Sequence, residues 1–241
     1  MDTLVVEWDQ QRFDGFWDDF SRRDVDGQRD AVRELYRQVE LLVTHVLAEL
    51  QSDKPAERFV ALMLVRRTDL AAKCLEQVIQ LSDDPEPVIR ASVMTILATV
   101  PCEQSKQRLL AALDDADPRV QSNAIEALEM VDPDNIHQIA EPKTQSPHHR
   151  VRATAIRAVL KYHGTAALTE LSAMLDHHDP AFRLSALWAV RQTLPQLLIE
   201  KVSRLAGTDP DAKTQHTAAE IINGIIEWGA APSPTLEEAL A

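Results

Sequence analysis

Eight histidines are the residues most suited to chemistry: His45, His137, His148, His149, His163, His177, His178 and His216. Imidazole ligates divalent metals and exchanges protons near neutral pH. The adjacent pairs His148-His149 and His177-His178 fall about thirty residues apart, which would bring them to one edge of a regularly stacked structure. Neither pair belongs to a His-Glu-x-x-His sequence, and no cysteine or paired carboxylate beside them completes a four-ligand set. They therefore read as polar turn residues, and no metal or other cofactor is expected. The chain also lacks Gly-x-Gly-x-x-Gly, a Gly-Lys-Ser/Thr phosphate loop and a Gly-x-Ser-x-Gly elbow, and has only six glycines from which to build such loops. No catalytic residue is assigned, and the chain reads as a non-enzyme.

Binding chemistry is better supported. Arg157, Lys161 and Trp188 combine two cations with an aromatic ring, a set suited to an acidic, partly apolar protein segment. Arg152 and Glu126 extend that candidate surface. A second cluster lies at the N-terminus, where Trp8, Phe13, Phe16, Trp17 and Phe20 contribute five of eleven aromatics. Phe13, Phe16, Trp17 and Phe20 recur at i, i+3, i+4 and i+7, one face of a short helix. Such a helix caps the first repeat of an array, or docks on a partner or a second copy of the chain.

The elements that must position these residues repeat. Aligned on one column, Arg58, Arg90, Gln121, Arg152, Arg183 and Lys213 are separated by about 31 residues, a period that signals a repeat architecture. Three and six positions beyond the anchors the residues are small or apolar, as in Ala124 and Ala127 or Ala186 and Ala189, with His216 after Lys213 the exception. Val120, Ala124, Ala127, Leu128 and Val131 trace the stripe of a helix with one buried face. Asp117-Pro118, Asp179-Pro180 and Asp209-Pro210 supply an N-cap acceptor followed by proline at the first helical position. The fourth copy, Ser146-Pro147-His148-His149, predicts an altered turn, and residues 141–147 predict the most mobile internal loop.

Spacing, caps and alanine phase resemble HEAT-like repeats of the type also found in phycobilisome lyases, over roughly residues 52–228. The resemblance implies an all-α, right-handed α-solenoid of about six helical hairpins, with an N-terminal aromatic-rich capping helix. The expected organisation is a cap or docking segment at 1–27, the repeat array at 28–229 and a flexible tail at 230–241. Residues 24–27 read as a turn and 28–51 as the strongest helix. In such an array the second helix of each hairpin lines a concave face, and the candidate residues Arg157, Lys161, Trp188, Arg152 and Glu126 fall on these helices.

The family is used for several purposes, so fold alone does not select one. A protein-binding scaffold is the leading expectation. Bilin or other cofactor attachment, as in the lyases, is the alternative; DNA repair, as in HEAT-like alkylpurine glycosylases, ranks third. The His-Glu dipeptides of the HEAT-like deoxyhypusine hydroxylases are missing. Net charge is −13, which opposes nucleic acid and anionic membranes as principal ligands. Cys74 and Cys102 are the only cysteines and read as reduced thiols in a helical core, which points to the cytoplasm. The N-terminus does not read as a secretory signal, and no run of about 18 apolar residues suggests a membrane span.

Overall fold

In each repeat one short turn fixes where the inner helix begins. Its first residue is Ser52, Asp84, Asp115, Ser146, His177 or Asp209, and in each case the side chain accepts the backbone N–H two residues on, at 2.8 to 3.2 Å. Carboxylate, hydroxyl and imidazole nitrogen all serve, because the turn requires only an acceptor close to the main chain. Six residues beyond this acceptor, the anchor side chain returns to its carbonyl. Arg58, Arg90, Gln121 and Arg183 donate to the carbonyls of Ser52, Asp84, Asp115 and His177 at 2.6 to 2.8 Å. Gln121 thus keeps the structural role of the arginines without their charge.

These turns organise a computed structural model that describes residues 10–35, 39–68 and 70–227. Trp8 and the tail at 230–241 lie outside the described residues. The helices are α1 (Gln10–Arg22), α2 (Val25–Leu35), α3 (Val39–Glu49), α4 (Pro55–Arg67), α5 (Leu75–Gln80), α6 (Pro87–Leu97), α7 (Glu103–Ala111), α8 (Pro118–Val131), α9 (Ile136–Ala140), α10 (His149–Leu175), α11 (Pro180–Thr193), α12 (Ile199–Thr208) and α13 (Ala212–Glu227). No strand occurs among the described residues. The chain forms two compact units, 1–108 and 109–241, divided within α7.

In the first unit α1 packs on α2, α3 on α4, and α4 on α6. Phe20 is fully buried and stacks on Phe16 and Trp17 at 5.7 and 6.4 Å, while Gln28 donates to its carbonyl. The expected turn at 24–27 is instead the start of α2: Asp24 accepts the Gly27 amide at 2.8 Å, the N-cap role its short carboxylate favours. The residues expected as one long helix fall in α2 and α3, with 36–38 outside the described set.

The second unit is led by α8, α10 and α11, with α12 packed on α13. Helix α10 joins two repeats, since Gly164 adopts φ 33°, ψ −103° and divides residues 149–163 from 165–175. Glycine tolerates this left-handed conformation because it has no Cβ. The chain therefore passes from the inner helix of one repeat to the outer helix of the next without a loop.

Burial follows the predicted columns. Ala61, Val93, Ala124, Ala155 and Ala186 are fully buried three residues past their anchors, and Leu64, Ile96, Ala127, Ala158 and Ala189 are at most 2% exposed six past them. Small side chains in both columns let neighbouring helices approach closely. The last repeat departs from the sequence reading by two residues. Asp209 occupies the turn position of Asp84, and Asp211 precedes the helix and accepts the Thr214 amide at 2.8 Å. The anchor there is Gln215 rather than Lys213, which puts Ala218 and Ile221 in the buried columns and leaves His216 exposed. Asp117 and Asp179 do cap their helices, accepting the amides two residues on at 2.8 Å. The Arg119 guanidinium, helped by the Arg119 amide against the cost of burial, holds the Asp117 carboxyl down to about 2.

Two further expectations change. The turn at Ser146 keeps the first bond, its hydroxyl accepting the His148 amide as its counterparts do, and differs only in its anchor, since Arg152 pairs with Glu170. Residues 141–145 form a 3-10 helix tied down by Lys143, which donates to the Leu113 carbonyl and pairs with Asp114, both at 2.8 Å. Cys74 is buried, whereas Cys102 is half-buried before α7 and contacts the Ser105 hydroxyl and amide; both are free thiols.

Two anchors also reach across to the next repeat. Arg58 grips Asp84 through two hydrogen bonds of 2.7 and 3.1 Å, and Arg183 grips Asp209 through two of 2.8 Å. All four side chains are at least nine-tenths buried. Such a fork matches carboxylate geometry and ties the lead-in turn of one repeat to the anchor of the previous one. Asp209→Ala would leave the Arg183 guanidinium buried without its carboxylate, and urea unfolding should show a loss of about 3–5 kcal/mol; a loss under about 1 kcal/mol, normal for a surface pair, would contradict this role. At the end of α11, Leu194 sits at φ 44° before Pro195, a left-handed conformation that penalises a Cβ. Leu194→Gly should gain up to about 1 kcal/mol, read as a rise in thermal midpoint; a fall would show that the Leu194 side chain is needed there.

Candidate functional site

The face built by α8, the first arm of α10, and α11 in the second unit carries most of the candidate residues. On α8, Glu126 and Glu129 are separated by three positions and share a face. On α10, Arg157 lies between the flanking helices. Its guanidinium pairs with Glu129 on one side and stacks over Trp188 of α11 on the other, 5.4 Å from the ring centroid. Arg157 and Glu129 are 18% and 25% exposed, so the pair is desolvated enough to hold its geometry. A cation held over an indole ring gains about 0.5–2 kcal/mol. The result is a preorganised carboxylate–guanidinium–indole stack spanning three helices.

Arg157 is thus brought together with Trp188 as its column position suggested, but it does not present an uncompensated charge. Lys161 is not part of that stack. It is exposed, and its ammonium lies 4.8 Å from the ring centroid of its neighbour Tyr162. Tyr162 donates to the Pro133 carbonyl at 3.1 Å and packs against His137 at 4.7 Å. Arg152 points into the hairpin and pairs with Glu170 at 2.7 Å on the second arm of α10. It replaces the usual anchor-to-carbonyl bond with an ion pair. At the other end of the face, Arg150 donates to Asn123 at 3.2 Å.

Glu126 is half-buried beside these cations. Burial pushes its carboxyl above the ordinary range, Arg157 and Arg150 pull it back, and Glu129 adds to the upward push. The sequence reading missed Glu129 and the Arg150–Asn123 bond. The three-residue spacing from Glu126 is the signal that finds Glu129.

The histidines gather on a different edge of this unit. His149 shares a 2.6 Å hydrogen bond with Ser185 and meets the Phe182 ring edge-on at 5.8 Å, while His177 stacks on Phe182 at 4.0 Å and on His178 at 4.3 Å. The Asp179 amide donates to His177 Nδ1, so that nitrogen is an acceptor and the proton of the neutral ring is on Nε2. Among the described residues, no group of three or more His, Cys, Asp or Glu side chains is placed to hold a metal ion. In the first unit Trp17 is half-buried and Phe20 is buried; Phe13 lies in α1, but its side chain is outside the described set. The same unit contains an open groove of about 710 Å³ lined by Leu47, Lys73, Glu76, Gln104 and Arg108 among others.

Comparison with known proteins agrees with this architecture. A HEAT-repeat family model matches residues 75–143. The chain is similar in structure to a chain of the complex of CpcE and CpcF of phycocyanin lyase from Nostoc sp. PCC7120, with TM-score 0.54, 15% sequence identity, and 100% of this chain and 97% of that one covered. A designed armadillo repeat protein covers 88% of this chain and 98% of its own at 12% identity, but its TM-score of 0.36 carries no argument. No curated protein matches by sequence. The chain is an all-α array of helical hairpins, with residues 75–143 matching the HEAT-repeat model and the whole chain similar in fold to the lyase chain. No described helix is long and apolar enough to cross a membrane.

Because the Glu126 carboxyl is raised, its effect on stability is fully present when it is protonated, below the unfolded value, and is lost as pH rises through the folded value. At pH 7 the fold bears the cost of a desolvated charge. Glu126→Gln should therefore raise the thermal midpoint at pH 7 and leave it nearly unchanged at pH 4. A lower midpoint at pH 7 would show that the carboxylate stabilises the fold.

Proposed function

We propose that the chain is a non-enzymatic interaction scaffold that holds a segment of a partner protein across the α8–α10–α11 face. The observation carrying this reading is the stack of Glu129, Arg157 and Trp188. It fixes an aromatic ring and a guanidinium in place before any partner arrives, which lowers the ordering cost of association. Trp and Arg are also the side chains most often found at the energetic centre of interfaces. The structurally similar chain is taken from a complex of two proteins, in keeping with a repeat array that works by holding a partner. Cofactor attachment is the second reading, favoured by the whole-length likeness to a chain of a phycocyanin lyase. Adding a linear tetrapyrrole separates the two, since a scaffold produces no stoichiometric shift in visible absorbance.

Chemical crosslinking followed by affinity capture from the source cells tests the scaffold reading. The wild-type chain should retain a specific protein, and Trp188→Ala combined with Arg157→Glu should reduce recovery by about tenfold or more. Unchanged recovery by the double variant would remove this face from the account.

A further inference from the structure

Resting on the scaffold reading, the chemistry of the same face selects the kind of segment it takes. Arg157 is committed to Glu129 and Trp188, Arg150 donates to Asn123, and Lys161 lies over Tyr162. Glu126 has no hydrogen bond or ion pair of its own among the described residues, although it is half-buried in their midst. One turn further along α8, on the same side of the helix, Met130 is 66% exposed. The face thus offers one carboxylate lacking a donor beside one uncovered apolar side chain.

We infer that Glu126 and Met130 form a docking subsite for a basic, partly apolar protein segment, with an arginine or lysine of the partner donating to Glu126 and an apolar side chain covering Met130. Charge complementarity favours this occupant over an acidic segment. The chain carries a net charge of −13, which draws basic partners toward it and raises their encounter rate. An acidic segment would meet only solvated or already engaged cations, and would place a second carboxylate beside Glu126 with nothing to donate to it. The cost of holding Glu126 partly desolvated, set by burial and only partly offset by Arg157 and Arg150, is relieved when a charged donor reaches it. This replaces the acidic occupant that the cations alone suggest.

Fluorescence anisotropy with the full chain tests the subsite, using two short labelled peptides with the same leucines and either arginines or glutamates at the charged positions. The arginine peptide should bind more tightly, and Glu126→Gln should weaken it about tenfold or more. Met130→Ser should also weaken it, with both variants remaining folded by circular dichroism. Tighter binding of the glutamate peptide, binding of neither peptide, or no response to Glu126→Gln overturns the inference. Those results leave the scaffold reading intact so long as the Trp188→Ala, Arg157→Glu variant still loses the captured partner. If that variant keeps its partner, the scaffold reading itself has failed.

Discussion

The structure depends on a main-chain constraint met the same way in each repeat. In every repeat a side-chain acceptor at the start of the lead-in turn takes the amide two residues later, and at Arg58, Arg90, Gln121 and Arg183 the anchor six residues on closes the turn by donating to its carbonyl. An unmet amide or carbonyl at the edge of a packed core costs about 1–3 kcal/mol, so the turn cannot be left to chance. Where the acceptor is also a carboxylate held by the previous anchor, as at Asp84 and Asp209, the turn becomes a joint between repeats. One such joint lies in each compact unit, Arg58–Asp84 in the first and Arg183–Asp209 in the second.

The inner face inherits its order from that arrangement. Since capping and turn closure are handled by the acceptor and anchor positions, Glu126, Glu129, Arg157 and Trp188 are not needed for either. Glu129, Arg157 and Trp188 use that freedom to form a rigid stack, whereas Glu126 is held close to them and gains no donor. A repeat fold that satisfies its own main chain internally can keep a partly desolvated carboxylate on its surface, because that cost is small beside the burial of its alanine and leucine columns.

Much of this was legible in the sequence, and the misses have definite causes. The period, the alanine columns and the inner-helix boundaries could be read because small buried residues at fixed spacing constrain packing directly. Asp209-Pro210 misled because the pair is identical to the cap at Asp179-Pro180, yet its aspartate belongs to the turn two residues earlier, like Asp84-Pro85. The bonds of Asp209 and Asp211 and the burial of Ala218 and Ile221 reveal that shift. Gln121 fits among basic anchors because the fold requires a donor at that position and not a charge. The Glu129–Arg157 pair joins residues 28 positions apart, a contact between repeats that helical periodicity within one repeat does not encode.

Amide hydrogen exchange at the turn donors, Lys54, Glu86, Asp117, His148, Asp179 and Asp211, tests the central constraint most directly. If these acceptors hold the turns, all six amides are protected, and Glu86 and Asp211, whose carboxylate acceptors are locked by Arg58 and Arg183, exchange more slowly than Lys54 and His148, whose acceptors are serine hydroxyls. Exchange of these amides at the rate of an unstructured chain would contradict the account.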